Sequence, residues 1–254
     1  QIRTFCREFK EKINLPFKIE TDPRSITEEK IKLIVDGGCV NILIGIQGNE
    51  KTNFEIYERR ISDKEIMDAS KILSKFSDKL LANYDVITCN PYEKPEETIN
   101  LISLLRRLHK PYRLSVCNLI FFHGSKLYLR AIKDGTIQTE KDTANDLIYG
   151  DRSKHILLRR KNVYLNLIIN LMKGFATENR YGLLSNSVLD YLLEEKRVKW
   201  HIEHQFISIM ATRVLGAIDF IKKILKPIYR KFPISWRQYY LKLRYKDKIV
   251  NTVM

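Results

Sequence analysis

The sequence predicts an α/β fold over its first 150 residues, a parallel sheet built from βα units, followed by a basic and mostly helical region over residues 151–254. Three observations predict it. Short apolar runs rich in β-branched residues alternate with helical patterns through the first part. The 254-residue chain is 44% hydrophobic and 30% charged, the composition of a packed protein rather than a disordered one. Charge is also divided unevenly: residues 1–151 carry 24 basic and 23 acidic side chains, whereas 152–254 carry 21 and 7, so +14 of the net +15 lies in the last 103 residues. That asymmetry marks a division near Gly150 and gives the two parts different partners.

The chain opens on Gln1 just before a helical pattern over 5–12, and so reads as a piece of a longer protein. Strands are expected at 17–21, 40–47, 84–90 and 114–121. Three helices fit between them. Thr27 is the expected N-cap of the first, with Ile31, Ile34 and Val35 facing inward and Gly37-Gly38 stopping it. Ser62-Asp63-Lys64-Glu65 opens the second as a capping box, followed by Ile66, Ala69, Ile72, Leu73 and Phe76 at helical spacing. The third spans 95–108, with Pro95 in the first turn and Leu101, Leu104, Leu105 and Leu108 toward the sheet. A fourth, 125–133, follows the last strand.

Cysteine usage narrows the chemistry. The four cysteines, Cys6, Cys39, Cys89 and Cys117, are never closer than 28 residues, which excludes zinc ribbons, CxxC redox motifs and compact iron-sulfur loops within this chain. It excludes a dense disulfide framework too, and fits a reducing cytoplasm. No window of about 18 residues is free of charge, so a membrane-spanning helix is not expected.

Parallel sheets of this kind carry their sites at the carboxyl ends of the strands. Four polar clusters fall there: Glu20-Thr21-Asp22, Gln47-Gly48-Asn49-Glu50, Cys89-Asn90-Pro91-Tyr92-Glu93 and His123-Gly124-Ser125. Any one of these residues can equally cap a helix or solvate a loop.

The sequence resembles the later half of a radical S-adenosylmethionine (SAM) barrel, in the subgroup with an N-terminal cobalamin-binding domain. The resembling text is Leu15-Pro16-Phe17-Lys18-Ile19-Glu20-Thr21, Gly37-Gly38-Cys39-Val40-Asn41-Ile42-Leu43-Ile44-Gly45-Ile46-Gln47, Tyr57-Glu58-Arg59-Arg60-Ile61-Ser62, Tyr84-Asp85-Val86-Ile87-Thr88-Cys89-Asn90-Pro91-Tyr92-Glu93 and Phe121-Phe122-His123-Gly124-Ser125-Lys126-Leu127-Tyr128. The resemblance implies a partial (β/α) barrel of the radical SAM type, with the family's strands three to six present. It implies SAM and a [4Fe-4S] cluster as cofactors, with the CxxxCxxC cluster loop outside this chain, and cobalamin as a further cofactor through an upstream domain. In the family, electron transfer cleaves SAM to a radical that abstracts a hydrogen atom, so an electron donor such as ferredoxin or flavodoxin is implied as well.

Five residues carry over as cofactor-binding candidates. Gln47 ends the family's fourth strand, where an amide can both donate to and accept from SAM. Arg59 matches an arginine placed to pair with the SAM carboxylate, against a plain reading as a solvated charge at a helix start. Asn90 and Glu93 follow the fifth strand near the adenine, against capping of the next helix. Glu20 ends the third strand and faces SAM or substrate. The sequence departs from the family at Gly48-Asn49-Glu50, where Ser-Gly-Ser is frequent, and at His123-Gly124-Ser125, where Pro-Gly-Thr is common. His123 is either a proton donor or substrate contact, or an incidental loop residue. Asp85, Ile87 and Cys89 blur the glycine-rich adenine motif. No catalytic residue is assigned.

Residues 152–254 read as helices. In 163–172, Asn166 and Asn170 share one face and make the segment amphipathic. In 206–229, Phe206, Ile209, Met210, Val214, Ile218, Ile221 and Leu225 form an apolar face beside Arg213, Lys222, Lys223, Lys226 and Arg230. Such a helix either packs on the barrel or lies on an anionic membrane through 206–231. Nucleic-acid patterns are lacking: no glycine-aromatic motif, zinc finger or basic-aromatic repeat is found.

The expected function is therefore that of a cytoplasmic or membrane-associated radical SAM enzyme piece, acting on a small-molecule or lipid-like substrate and inert without its cluster loop. The rivals are a cluster-free adaptor on a degenerate barrel, and tRNA modification by the same chemistry.

Overall fold

The computed structural model describes residues 1–137 and 162–231, with side chains described through residue 218 of the last helix. The expected division near Gly150 lies outside the described residues. Helix α1 (Ile2–Lys12) packs on α2 (Glu28–Asp36). Between them runs β1 (Phe17–Thr21). The alternation continues with β2 (Cys39–Gln47), the short α3 (Glu50–Glu55), α4 (Asp63–Ser74), β3 (Leu81–Thr88), α5 (Pro95–Arg107), β4 (Tyr112–Asn118) and α6 (Lys126–Lys133).

The caps form as local chemistry dictates. Thr27 Oγ1 accepts from the Lys30 amide, and Ser62 and Glu65 complete their reciprocal capping box. Pro95 stands in the first turn of α5, where a missing N–H costs nothing. Strands three and four sit two to three residues earlier than the apolar runs suggest, because Leu81 and Tyr112 already pair with their neighbours.

Strand order decides the architecture. β1 to β4 are parallel and adjacent in sequence order. Right-handed crossovers that always step in one direction put every connecting helix on the same face, as in a (β/α) barrel segment; a doubly wound sheet reverses direction and covers both. Burial agrees. Ile42, Ile44, Ile46, Tyr84, Val86, Tyr112, Leu114 and Val116 alternate along the strands and form one core with Ile31 and Ile34 of α2, Ile66 and Leu73 of α4, and Leu101, Leu104 and Leu105 of α5. The intervening residues Lys18, Glu20, Asn41, Asn83, Asp85, Arg113, Ser115 and Cys117 point the other way and are exposed or half-buried.

The C-terminal region is mostly helical, and it also contributes strands. Helix α7 (Val163–Met172) is followed by β5 (Gly174–Thr177), β6 (Arg180–Tyr181) and β7 (Leu184–Ser185), which extend the sheet antiparallel beyond β4 to seven strands. Gly174-Phe175-Ala176-Thr177 is too short for a clear alternation signal, so this meander corrects the all-helical reading of residues 152–254. Helices α8 (Asn186–Leu192), α9 (Glu195–Glu203) and α10 (Phe206–Lys231) complete the described chain. The expected polar face of α7 is buried: Asn166 and Asn170 are 4% and 6% exposed. Asn166 Oδ1 accepts from the Cys89 amide at 3.1 Å and so ties α7 to the end of β3, while Asn170 Nδ2 donates to the Asn166 carbonyl within the helix.

Candidate functional site

The carboxyl end of β2 is held rigidly before it is offered to anything. Asn53 Nδ2 donates to the Ile46 and Gly48 carbonyls at 3.1 and 3.0 Å, and Asn49 Oδ1 caps α3 through the Thr52 amide. A side chain at Gly48 would meet Thr52 carbon atoms at 2.8–2.9 Å, so the turn tolerates only glycine there. Gln47 itself sits at φ 67°, beside an irregularity in the β2–β3 pairing. A left-handed non-glycine residue costs roughly 1 kcal/mol or more and persists where the surroundings over-determine it, often at functional positions.

That backbone turns the Gln47 amide back over Gly45. A Cβ built on Gly45 would lie 2.7 Å from Gln47 Nε2 and 3.8 Å from Arg59 Nη2, so the absent side chain is what lets both groups converge. Arg59 reaches the spot from the loop before α4. Its amide donates to the Asn53 carbonyl, and Nη2 donates to the Gly45 carbonyl at 3.1 Å. Gln47 Oε1 and Arg59 Nη1 are both buried and have no hydrogen-bond partner. A buried unmade hydrogen bond costs about 1–3 kcal/mol, so an open acceptor and an open cationic donor on two residues that converge at Gly45 make this a candidate place for a ligand to complete the bonding.

The charge around it favours an anion. Asp22 is taken up by Arg24, whose Nε and Nη2 reach its two oxygens at 3.2 and 2.8 Å, and this pairing first of all holds the Asp22 carboxyl below its usual range. Asp22 stands 3.9 Å from Arg59, too far for a hydrogen bond. Burial works against the Arg59 charge, yet a guanidinium does not deprotonate in a protein. Its positive charge therefore remains only partly compensated.

Below this rim the bare sheet face, exposed or half-buried among the described residues, carries a ladder of polar groups. Gly45 stands opposite Asp85 and Asp85 opposite Ser115. Ser115 Oγ donates to Asn83 Oδ1 at 2.9 Å, and Cys117 Sγ lies 3.3 Å from Asp85 Oδ1. Burial raises the Asp85 carboxyl, and it pushes the Cys117 thiol to about 11, with Asp85 adding to the effect. At neutral pH Cys117 is thus a thiol, in contact with the Asp85 carboxyl.

The five candidates separate. Gln47 and Arg59 come together. Glu20 shares the bare face and is exposed, near enough to Asp85 to add to the rise of its carboxyl. Asn90 and Glu93 are buried in the packing beyond β3. Asn90 Nδ2 donates to Tyr57 Oη and its Oδ1 accepts from the Tyr92 amide, while Glu93 Oε1 accepts from Thr52 Oγ1 and its carbonyl from Asn162 Nδ2. Burial pushes the Glu93 carboxyl up to about 7. His123 is exposed against Tyr128, with ring centroids 4.8 Å apart. Asp85, Asn83, Ser115 and Cys117 were not singled out as site residues; the available signal was polar residues two apart within otherwise apolar strands.

A concavity of about 440 Å³ lies on the helical side, lined by Asn49, Glu50, Lys51, Phe54, Asp63 and Arg107 among others. There Glu50 and Asp63 accept each other's amides, so its acidic groups are already engaged.

No protein-family model matches the sequence, and a search of curated proteins gives no match. Among solved structures, the chain is similar to a radical SAM methyltransferase, TsrM, from Kitasatospora setae with cobalamin and a [4Fe-4S] cluster bound, at 15% identity and a TM-score of 0.44, covering 57% of this chain and 28% of that one. It is also similar to coproporphyrinogen III oxidase (HemN) from Escherichia coli, a radical SAM enzyme, at 21% identity and a TM-score of 0.42, covering 56% of this chain and 33% of that one. The chain thus spans about a third or less of these structures.

Proposed function

We propose that the chain supplies one wall of a SAM pocket in a radical SAM enzyme, with Gln47 and Arg59 as the cofactor-holding pair and the bare sheet face as the substrate side. The observation that supports this reading is that Gln47 and Arg59, whose Nε2 and Nη2 converge over Gly45, each keep a further buried polar atom, Oε1 and Nη1, without a hydrogen-bond partner. An α-amino carboxylate with a ribose nearby presents what they lack: an anion for the guanidinium and a donor for the amide oxygen. The residues fit SAM.

They do not fit an iron-sulfur cluster. The four cysteines stand 28 or more residues apart in sequence, and no group of three or more His, Cys, Asp or Glu that could hold a metal occurs among the described residues. The cluster, and any cobalamin, would be held by sequence outside this chain. When bound and reduced, SAM supplies one-electron chemistry at the pocket. This chain's residues orient it: Arg59 fixes the carboxylate, Gln47 fixes a hydroxyl or ammonium, and the wall of β2 and β3 sets the distance to a substrate lying on the polar face. The substrate proposed is a polar or lipid-like small molecule, since Asn83, Asp85, Arg113 and Ser115 offer hydrogen bonds along the face.

Calorimetric titration with S-adenosylhomocysteine tests the reading. Saturable binding should weaken about tenfold in Arg59→Gln, the loss of one charge-assisted contact. Absence of saturable binding, or equal affinity in the variant, contradicts it.

A further inference from the structure

Over residues 206–218, helix α10 turns small polar residues inward beside Ile209 and an apolar stripe outward. Ser208, Thr212 and Gly216, four residues apart, are buried; Ser208 and Thr212 are 1% and 0% exposed. This small-residue stripe faces α7, with Thr212 Oγ1 donating to the Ser208 carbonyl and Ser208 Oγ 3.3 Å from His201 Nδ1. On the opposite side Phe206, Ile207, Met210, Val214 and Ile218 follow one another at helical spacing and are 73%, 53%, 43%, 58% and 43% exposed. A solvent-facing helix normally shows the reverse arrangement.

We propose that this stripe docks α10 onto an anionic lipid surface. The occupant follows from charge and shape. The helix spans 26 residues, about 39 Å, and its sequence sets Arg213, Lys222, Lys223, Lys226, Arg230 and Lys231 against the single acid Asp219. Among the described residues no helix is long and apolar enough to cross a membrane, so α10 would lie along the surface with the exposed apolar side of residues 206–218 against the acyl chains, the basic content of its sequence favouring anionic headgroups. A second copy is disfavoured, because two equally basic helices would repel across the contact. Nucleic acid would use the charge but gains nothing from the apolar stripe. The inference is independent of the SAM pocket.

Flotation of the purified chain through a density gradient tests it, with vesicles of phosphatidylcholine alone and of phosphatidylcholine mixed with phosphatidylglycerol. The chain should float with the mixed vesicles and stay behind with the neutral ones. The doubly substituted Met210→Asp, Val214→Asp chain should lose binding on the order of a hundredfold, and Phe206→Ser, which adds no charge, about tenfold. All three positions are exposed, so the urea midpoint should stay where it is. Three results would overturn the proposal: no flotation with anionic vesicles, flotation indifferent to Phe206→Ser, or a concentration-dependent dimer in sedimentation that these substitutions dissolve.

Discussion

The two faces of β1 to β4 are made from the same strands, one residue out of step, and they solve opposite problems. On the helical face Ile42, Ile44 and Ile46 are fully buried at 0% exposure, and their neighbours on β3 and β4 interdigitate with α2, α4 and α5. On the other face the ladder runs Leu43, Asn83, Arg113 in one row and Gly45, Asp85, Ser115 in the next, and its rim keeps an acceptor and a donor unpaired. One face gives the sheet its packed core, and the other carries the polar groups on which the proposed ligand site rests. A parallel sheet covered on both sides would read as continuous apolar runs; here the polar residues at alternate positions mark the side left open.

Substitutions on either side sharpen the contrast. Ile44→Ala should be the most damaging, costing about 3 kcal/mol in urea denaturation, because the packed helices cannot collapse into the space. Glu93→Gln at the rim should act through pH. Its carboxyl rises to about 7 when folded, above the ordinary 4.5, so the folded state holds a proton that the unfolded chain releases. That protonated form is favourable below about 4.5, and stability falls as pH rises from there to about 7. Removing the titration should flatten this slope and raise stability at pH 8 by up to about 3 kcal/mol, read from urea midpoints across the range. Asn83→Ala, which takes away the acceptor of Ser115 Oγ on the bare face, should cost about 1 kcal/mol or less. Gly45→Ala should barely change stability, by a few tenths of a kcal/mol, since the new methyl meets only the movable end of Gln47. It should nevertheless abolish the convergence over Gly45, and S-adenosylhomocysteine binding with it, in the same titration.

Much of this fold is readable because its signals are local. Thr27, the Ser62 to Glu65 box and Pro95 announce their helices within four residues, and β1 falls where its apolar run lies. Of the short strands in residues 174–185, β5 escaped because its partner β4 lies about sixty residues away in sequence and Tyr112 opposite Ala176 is a tertiary fact, and β6 and β7 escaped because two residues each carry no alternation. Helix α7 misled for the same reason: two asparagines on one face look solvated until Cys89, seventy-seven residues earlier, is found to donate to one of them. At the site, Gln47 and Arg59 could be named from strand-end position and family likeness, whereas the Gly45 gap that joins them and the Asp85 to Cys117 contact depend on strand register. Asn90 and Glu93 were drawn to the same rim by sequence, and their side chains are engaged in holding the loop after β3 to Tyr57 and Thr52.

The central claim is that the bare face, and not the helical side, receives the ligand. Amide chemical shifts of the isotopically labelled chain titrated with S-adenosylhomocysteine test this most directly. The account predicts saturable changes centred on Gly45, Gln47, Arg59 and Asp85. Changes confined to Asn49, Lys51, Phe54 and Arg107 in the helical cleft, or no changes at all, would contradict it.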